Sequence, residues 1–576
     1  MEVTTLVGAL LRKARAVKLK VDEAKAQLAK LKKKSTSWES AHTELQAVNA
    51  ELKDTRRQRL CHLSGDESYG LLNKRLVHQE KKETKIANPS KKMKNKAELV
   101  FVATPAMGHL VSIVELAKHL LDRHEHFSIT VLLIKPFFRP SYNLYADSLA
   151  ASESRLRYIH LPPPPPSEPA VPKSPEKFIS DFVESHKSQV REAIVNHVLS
   201  SSPPTARLAG VVVDFFCTAM IDVANEFAAP TYLFFPSSAA FLGLMLHLPI
   251  RHALIGTEFT VSDPNSVTHF PSYANPVPTS VLPAFLFNKH GGYNCFLNHA
   301  RRFIETKGII VNTFEELESY AVQSLLVSPE SPPVYAVGPL LDLTGEARSG
   351  SDRDKILKWL DEQPMSSVVF LCFGSVGCFD PPKLAEIAEA LEKSGHRFLW
   401  SIRRPPPEGG LAMPTDCGGD YEGLLPEGFL KRTENRGMVC GWAPQTAVLG
   451  HAAVGGFVSH CGWNSILESL WFGVPIVTWP IYAEQQMNAF EMVVDLDLAV
   501  KLRLDCRDER GGGSGGVEVV VAAEEIERAV RGVMDGGNLV REREREMRDN
   551  SREAFMEGGS SFSSLTRLVG DMLGND

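Results

Sequence analysis

The chain lacks the cysteine spacing of a metal or redox site: its nine cysteines are scattered and odd in number, with no C-x-x-C among them. Zinc and dithiol chemistry are not indicated, and reduced thiols are the simplest state. A long uninterrupted apolar run is also missing. The longest, Tyr232 to Ile255, is broken by Pro236, Pro249, Arg251 and His252, which argues against a membrane span. Near the start, Leu6 to Leu11 is shorter than the core of a signal peptide and has no cleavage-like context, so a cytoplasmic protein is expected.

What is present is a composition of 43% apolar and 23% charged residues, that of a soluble globular protein. A length of 576 residues exceeds one ordinary core and suggests two large domains with an addition. The net charge of −6 is unevenly distributed: residues 1–96 hold 23 Lys and Arg against 11 Asp and Glu, so this basic extension is foreign to the acidic remainder. Within it Leu10, Val17, Ala24, Leu31, Trp38, Leu45 and Leu52 recur every seven residues. Ala14, Val21 and Leu28 add a second seam, which fails at Ser35, His42, Asn49 and Arg56. The pattern predicts a helix to about Lys34, not a long coiled coil, followed by a disordered Lys-rich run from Gln79 to Lys96. A monomer is expected. Dimerisation through residues 1–34, binding to an anionic surface, and a fused or mispredicted first exon are the alternatives.

Beyond the extension, apolar runs alternate with helical patterns, which predicts a parallel α/β fold. Glu98 to Thr104 reads as a buried strand, Pro105 to Gly108 as a turn, and His109 as the opening of a helix with Leu110, Ile113, Ala117 and Leu120 on one face. Open α/β sheets bind ligands at the carboxyl ends of their strands. An imidazole there can act as a general base near neutral pH or simply cap the helix. Leu208 to Asp214 is a second strand ending in a carboxylate, with a helix expected from Thr218 to Phe227. Asp214 could orient the His109 ring, or cap a helix. Five consecutive prolines within Leu161 to Pro172 read as a stiff surface loop. Phe137 to Leu149 and Pro264 to Asn288 read as irregular segments able to line a pocket. In the second half, Ser367 to Phe373 is a strand and Gly374-Ser375-Val376-Gly377 a tight turn. That turn is not a G-x-G-x-x-G fingerprint, which disfavours a nicotinamide enzyme. Leu539 to Phe555 reads as a helix with the i,i+4 charge pairs of a solvated face.

The richest stretch is Trp442 to Gln485, WAPQTAVLGHAAVGGFVSHCGWNSILESLWFGVPIVTWPIYAEQ. It reads strand, turn, helix, turn, strand. His460, Asn464 and Ser465 gather at the helix start, where unpaired N–H groups and the positive end of the dipole favour a phosphate. Glu468, one turn on, could accept from a ribose hydroxyl, Trp442 offers a face for a planar base, and Glu484 with Gln485 offers acceptors and a donor for a polyol. Taken singly, each also has a bland reading as core or cap.

As a set, the stretch resembles the donor-binding box of plant secondary-product glycosyltransferases, the family 1 UDP-glycosyltransferases, over its full length without a gap. The likeness extends over about residues 97–576, including the P-x-x-G-H turn at His109, Asp214 and the strand-to-helix junction Gly308 to Glu318. It implies the GT-B architecture: two facing Rossmann-like, doubly wound domains. Residues 97–337 would bind the acceptor, residues 338–555 the UDP-sugar, and residues 556–576 would form a helix returning to the first domain. It implies His109 as catalytic base with Asp214 as its partner. The donor-binding set would be Ser375, Trp442, Ala443, Gln445, His460, Trp463, Asn464, Ser465, Glu468, Glu484 and Gln485. UDP-glucose would be the co-substrate, with no metal or other cofactor, and the acceptor a small phenolic such as a flavonoid, giving a β-glucoside. Gln485 is the residue common in the family's glucosyltransferases, and nothing basic stands beside Trp463 in the sequence. Competing classes are a nucleotide-sugar-binding protein without turnover and a coiled-coil scaffold.

Overall fold

The computed structural model describes residues 96–574 except 137–138, 150–154, 165–173, 201–205, 261–265, 329–330, 344–351, 407–412, 506–519 and 536–538. The expected N-terminal helix, the Lys-rich run up to residue 95 and most of the proline loop lie outside the described residues.

Two parallel sheets organise the rest. The first contains β1 (Lys96–Val102), β2 (Phe127–Leu133), β3 (Leu156–His160), β4 (Ala206–Asp214), β5 (Thr231–Phe235), β6 (Gly308–Val311) and β7 (Val334–Ala336). Their order is β3-β2-β1-β4-β5-β6-β7. The second contains β8 (Val368–Cys372), β9 (Arg397–Ser401), β10 (Gly437–Cys440), β11 (Val454–Ser459), β12 (Ile476–Thr478) and β13 (Ala499–Lys501), in the order β10-β9-β8-β11-β12-β13. These are Rossmann-like orders, and each sheet reverses its winding beside its first strand: between β1 and β4, and between β8 and β11. A crevice opens at the carboxyl ends of such strands.

The strands read as apolar runs because helices cover both faces: Leu99, Val100, Phe101 and Val102 are all buried, as are Val369, Phe370 and Leu371. The helix Met107–Arg123 starts two residues before His109 and buries Leu110, Ile113, Ala117 and Leu120. The helix Trp463–Phe472 ends at Gly473, whose φ of +70° gives the left-handed cap that a side chain would resist. The last helix, Ser560–Leu573, packs against β7 and the helix Met107–Arg123 of the first half. Leu565, Leu568 and Met572 are buried there, and Ser561 Oγ donates to the Gly338 carbonyl at 2.6 Å.

Two expectations need correction. Within Phe137 to Leu149, Pro140–Ser148 is a helix: Pro is favoured in the first turn, and Tyr142, Tyr145 and Ala146 form one buried face. After Asp214 the chain makes a 3-10 turn, Phe215–Cys217, and the helix begins only at Met220. The helix Leu539–Glu553 packs one face on Trp463–Phe472, burying Glu544 and Ser551. No helix among the described residues is long and apolar enough to cross a membrane.

Candidate active site

At the first winding reversal β1 and β4 deliver adjacent groups. His109 Nδ1 lies 2.7 Å from Asp214 Oδ1, and Thr104 Oγ1 donates to the same oxygen at 2.6 Å. Asp214 is wholly buried, whereas a quarter of the His109 side chain is exposed. Burial alone would lower the His109 pKa. The Asp214 carboxylate, through its charge and its hydrogen bond, outweighs that and raises the value above 6.5, with Glu484 adding to the rise and Arg139 opposing it. With Nδ1–H donated to Asp214, the lone pair of Nε2 is the one able to take a proton. The nearby Cys217 thiol is pushed well up by burial and stays protonated.

At the second reversal, the turn after β8 and the turn after β11 fit closely. Gly374 has a φ of +73°, and a Cβ there would stand 2.4 Å from His460 Nε2, so glycine is needed for both conformation and space. His460 is buried. Burial and the charge of Arg403 push its pKa down to about 4, which leaves the imidazole neutral. Cys461, which follows it, is a non-glycine residue at a φ of +61°, held by Asn488 Nδ2 donating to its carbonyl. Strain of this kind is retained where surrounding structure over-determines it.

Three of the expected donor residues form one network. Gln445 Nε2 donates to Ser465 Oγ at 2.8 Å and to Glu468 Oε2 at 2.7 Å. Ser465 thereby accepts one bond and keeps its own O–H to give. Gln485 Oε1 accepts from the backbone N–H groups of Ile481 and Tyr482, at 2.9 and 3.0 Å, leaving its amide hydrogens as the donors. Ala443 is buried, and Trp442 and Ser375 are half-buried.

Trp463, Asn464 and Glu484 instead reach into the first half. Trp463 is buried and its indole N–H donates to the Asn312 carbonyl at 2.7 Å. Asn464 Nδ2 donates to the Gly108 carbonyl at 2.9 Å, next to His109, and Asn464 Oδ1 accepts from Ser112 Oγ at 3.1 Å. Glu484 Oε1 accepts from Ser237 Oγ at 3.2 Å. These contacts tie the anion-favouring helix start to the turn that carries the imidazole.

The sequence reading missed Thr104, Asn312 and Arg403. All three stand at or just beyond the carboxyl end of a strand, so the rule that singled out His109 could have flagged them. What was missing was the neighbour across the fold. Arg403 and Arg139 both bear electrostatically on Tyr482, three residues before Gln485, so the neighbourhood is more basic than the sequence around Trp463 suggested. Among the described residues no group of three His, Cys, Asp or Glu side chains is arranged to hold a metal.

Two Rossmann-like sheets whose strand-end turns are bonded to each other in this way are the arrangement of the GT-B glycosyltransferases. Comparison with known proteins agrees. The family model described as UDP-glucoronosyl and UDP-glucosyl transferase matches residues 355–504. UDP-glycosyltransferase 71K2 of Pyrus communis is 48% identical over 491 residues, covering 84% of this chain and 99% of its own length. UDP-glucose flavonoid 3-O-glucosyltransferase 6 of Fragaria ananassa is also 48% identical over 491 residues, covering 83% and 99%. The crystal structure of Medicago truncatula UGT71G1 complexed with UDP-glucose superposes with a TM-score of 0.73 at 45% identity, covering 83% of this chain and 98% of that one. The chain belongs to the UDP-glycosyltransferase family.

Proposed function

We propose that this enzyme transfers glucose from UDP-glucose to a hydroxyl of a small phenolic acceptor, of flavonoid type, with inversion and without a metal. Residues 97–337 bind the acceptor and residues 338–555 the donor, while 556–576 return to the first domain. His109 Nε2 removes the acceptor proton, and Asp214 holds the ring and stabilises the imidazolium that forms. The acceptor oxygen attacks the anomeric carbon as its bond to UDP breaks, so an α-linked donor gives a β-glucoside. His460, Ser375, Ser465 and the start of the helix Trp463–Phe472 receive the leaving diphosphate. Trp442 and Ala443 hold the base, Gln445 and Glu468 the ribose, and Glu484 and Gln485 the sugar, with Trp463 and Asn464 setting their position. The enzyme works as a cytoplasmic monomer.

The observation that carries this reading is the 2.7 Å His109–Asp214 contact at one winding reversal, linked through Gly108 and Asn464 to the anion-favouring helix start beyond the other. A relative that is a flavonoid glucosyltransferase supports the acceptor class, and a similar structure in complex with UDP-glucose supports the donor. The test is competition among UDP-glucose, UDP-galactose and UDP-glucuronic acid with a phenolic panel, read by mass spectrometry and by the anomeric coupling of the product. Mainly β-glucoside is expected. Preferential galactoside or glucuronide would overturn the donor assignment, and an α-linked product the inverting mechanism.

A further inference from the structure

Arg403 lies just past the carboxyl end of β9 and is half-buried. Its Nη1 donates to the Ser375 carbonyl, and its guanidinium carbon stands 4.5 Å from the centroid of the Trp442 ring. Among the described residues no carboxylate is within ion-pairing distance of it. Three other partly buried arginines do have a counter-charge or several carbonyls as partners. Arg302 pairs with Asp222 and Glu305, Arg503 pairs with Glu525, and Arg436 donates to the carbonyls of Leu391, Glu392 and His396. A guanidinium has five N–H donors, and desolvating its charge without a counter-charge is unfavourable. The open donors of Arg403 therefore match an anion that the described chain does not supply.

A second observation at the same place points the same way. His460 is 6% exposed, and its Nδ1 has no hydrogen-bond partner among the described residues. Because that imidazole is neutral, it can offer a hydrogen bond but no net charge. The Ser375 hydroxyl has no protein partner there either. The guanidinium thus bridges the Trp442 ring and the Ser375 turn, the interval between a stacked base and a terminal phosphate.

We propose that Arg403 is the cation of the donor site, its free N–H groups binding the diphosphate of the nucleotide sugar beside the Ser375 turn. The inference rests on the donor-site reading above and adds a charge to it. The diphosphate gains negative charge as the glycosyl bond breaks, and a guanidinium cation stabilises that charge where a neutral imidazole cannot. Charge-assisted bonds to phosphate are roughly twice as strong as neutral ones.

The rival role is a buttress that only holds the indole plane, and the two separate by ligand. Uridine, UMP and UDP are tested as competitors of UDP-glucose on the full chain, as wild type, R403Q and R403K, with melting temperatures checking that each variant is folded. The expected result is that R403Q weakens UDP roughly 10- to 100-fold, as loss of a charged hydrogen bond does. Uridine should stay within about twofold on the same argument, because it carries no phosphate for the guanidinium to bind. R403K should recover part of the loss for UDP. Equal weakening of uridine and UDP in R403Q, or no weakening of either, would overturn the proposal. A wild-type chain that does not bind UDP would refute the donor-site reading itself, before any variant is compared.

Discussion

Asp214 reverses what burial does to His109. Its carboxylate raises a pKa that desolvation would lower, so the base is free at high pH and blocked at low pH. The acidic limb of the kcat/KM profile should therefore lie above the ordinary histidine value of 6.5. In Asp214→Asn the limb should move to lower pH while the maximal rate falls by roughly 100-fold or more, because an amide can present the wrong group to the ring. A limb that stays in place would show that Asp214 does not govern the imidazole. The same pair affects stability with the opposite sense of pH: its contribution is complete below the unfolded histidine pKa and is lost as pH rises through the raised folded value. Both residues were legible in the sequence: Asp214 ends an apolar run that reads as a buried strand, and His109 opens the helix just after the turn that follows another. Thr104 and Arg403 end such runs too. Nothing local says that Thr104 shares an oxygen with His109, or that Arg403 lies over Trp442, since those contacts join strands far apart in the chain.

Between elements, the segment Glu491–Asp495 meets the first half through acids. Glu318 caps the helix Ala239–Ile255 by accepting from the N–H groups of Ala239 and Ala240, at 2.9 and 2.8 Å, and it also contacts Glu491. Ser238, Thr313, Tyr273 and Asp495 complete the surroundings. Burial first, then the Glu318 charge, drives the Glu491 pKa well up, so Glu491 keeps its proton and donates to Glu318. An acid whose folded pKa is raised loses stability as pH climbs from its unfolded value toward the folded one. Between pH 5 and pH 8 the melting temperature of Glu491→Gln should consequently fall less than that of the wild type, by about 2 °C, since the amide donates at every pH. Equal slopes in calorimetry would remove the pair from the account. The strand-turn-helix order of the donor segment was legible because glycine and proline punctuate it. The burial of Glu544 was not. A charged run in a sequence does not reveal which of its faces another helix will cover.

At the scale of the whole molecule, the parallel α/β architecture was foreseeable from alternating patterns, but strands such as β2 and β3 were not read, and neither was the seam between the two sheets. It is held by polar bonds crossing from one half to the other. Trp463 donates to Asn312, Asn464 to Gly108 and Ser237 to Glu484, and Asn275 Nδ2 donates to Asp495 at 2.8 Å. These bonds involve only protein atoms. Such bonds form a latch, and the prediction is that time enters the cycle there, with the halves parting for reactants to enter and again for the glycoside to leave. Opening then sets the pace of turnover, as release does in many enzymes. Rapid-quench measurements should show a burst of product followed by a slower steady phase. Asn275→Ala, remote from the imidazole, should quicken the second phase and leave the burst unchanged. A single phase in the wild type would mean that the bond chemistry, not the latch, keeps the time.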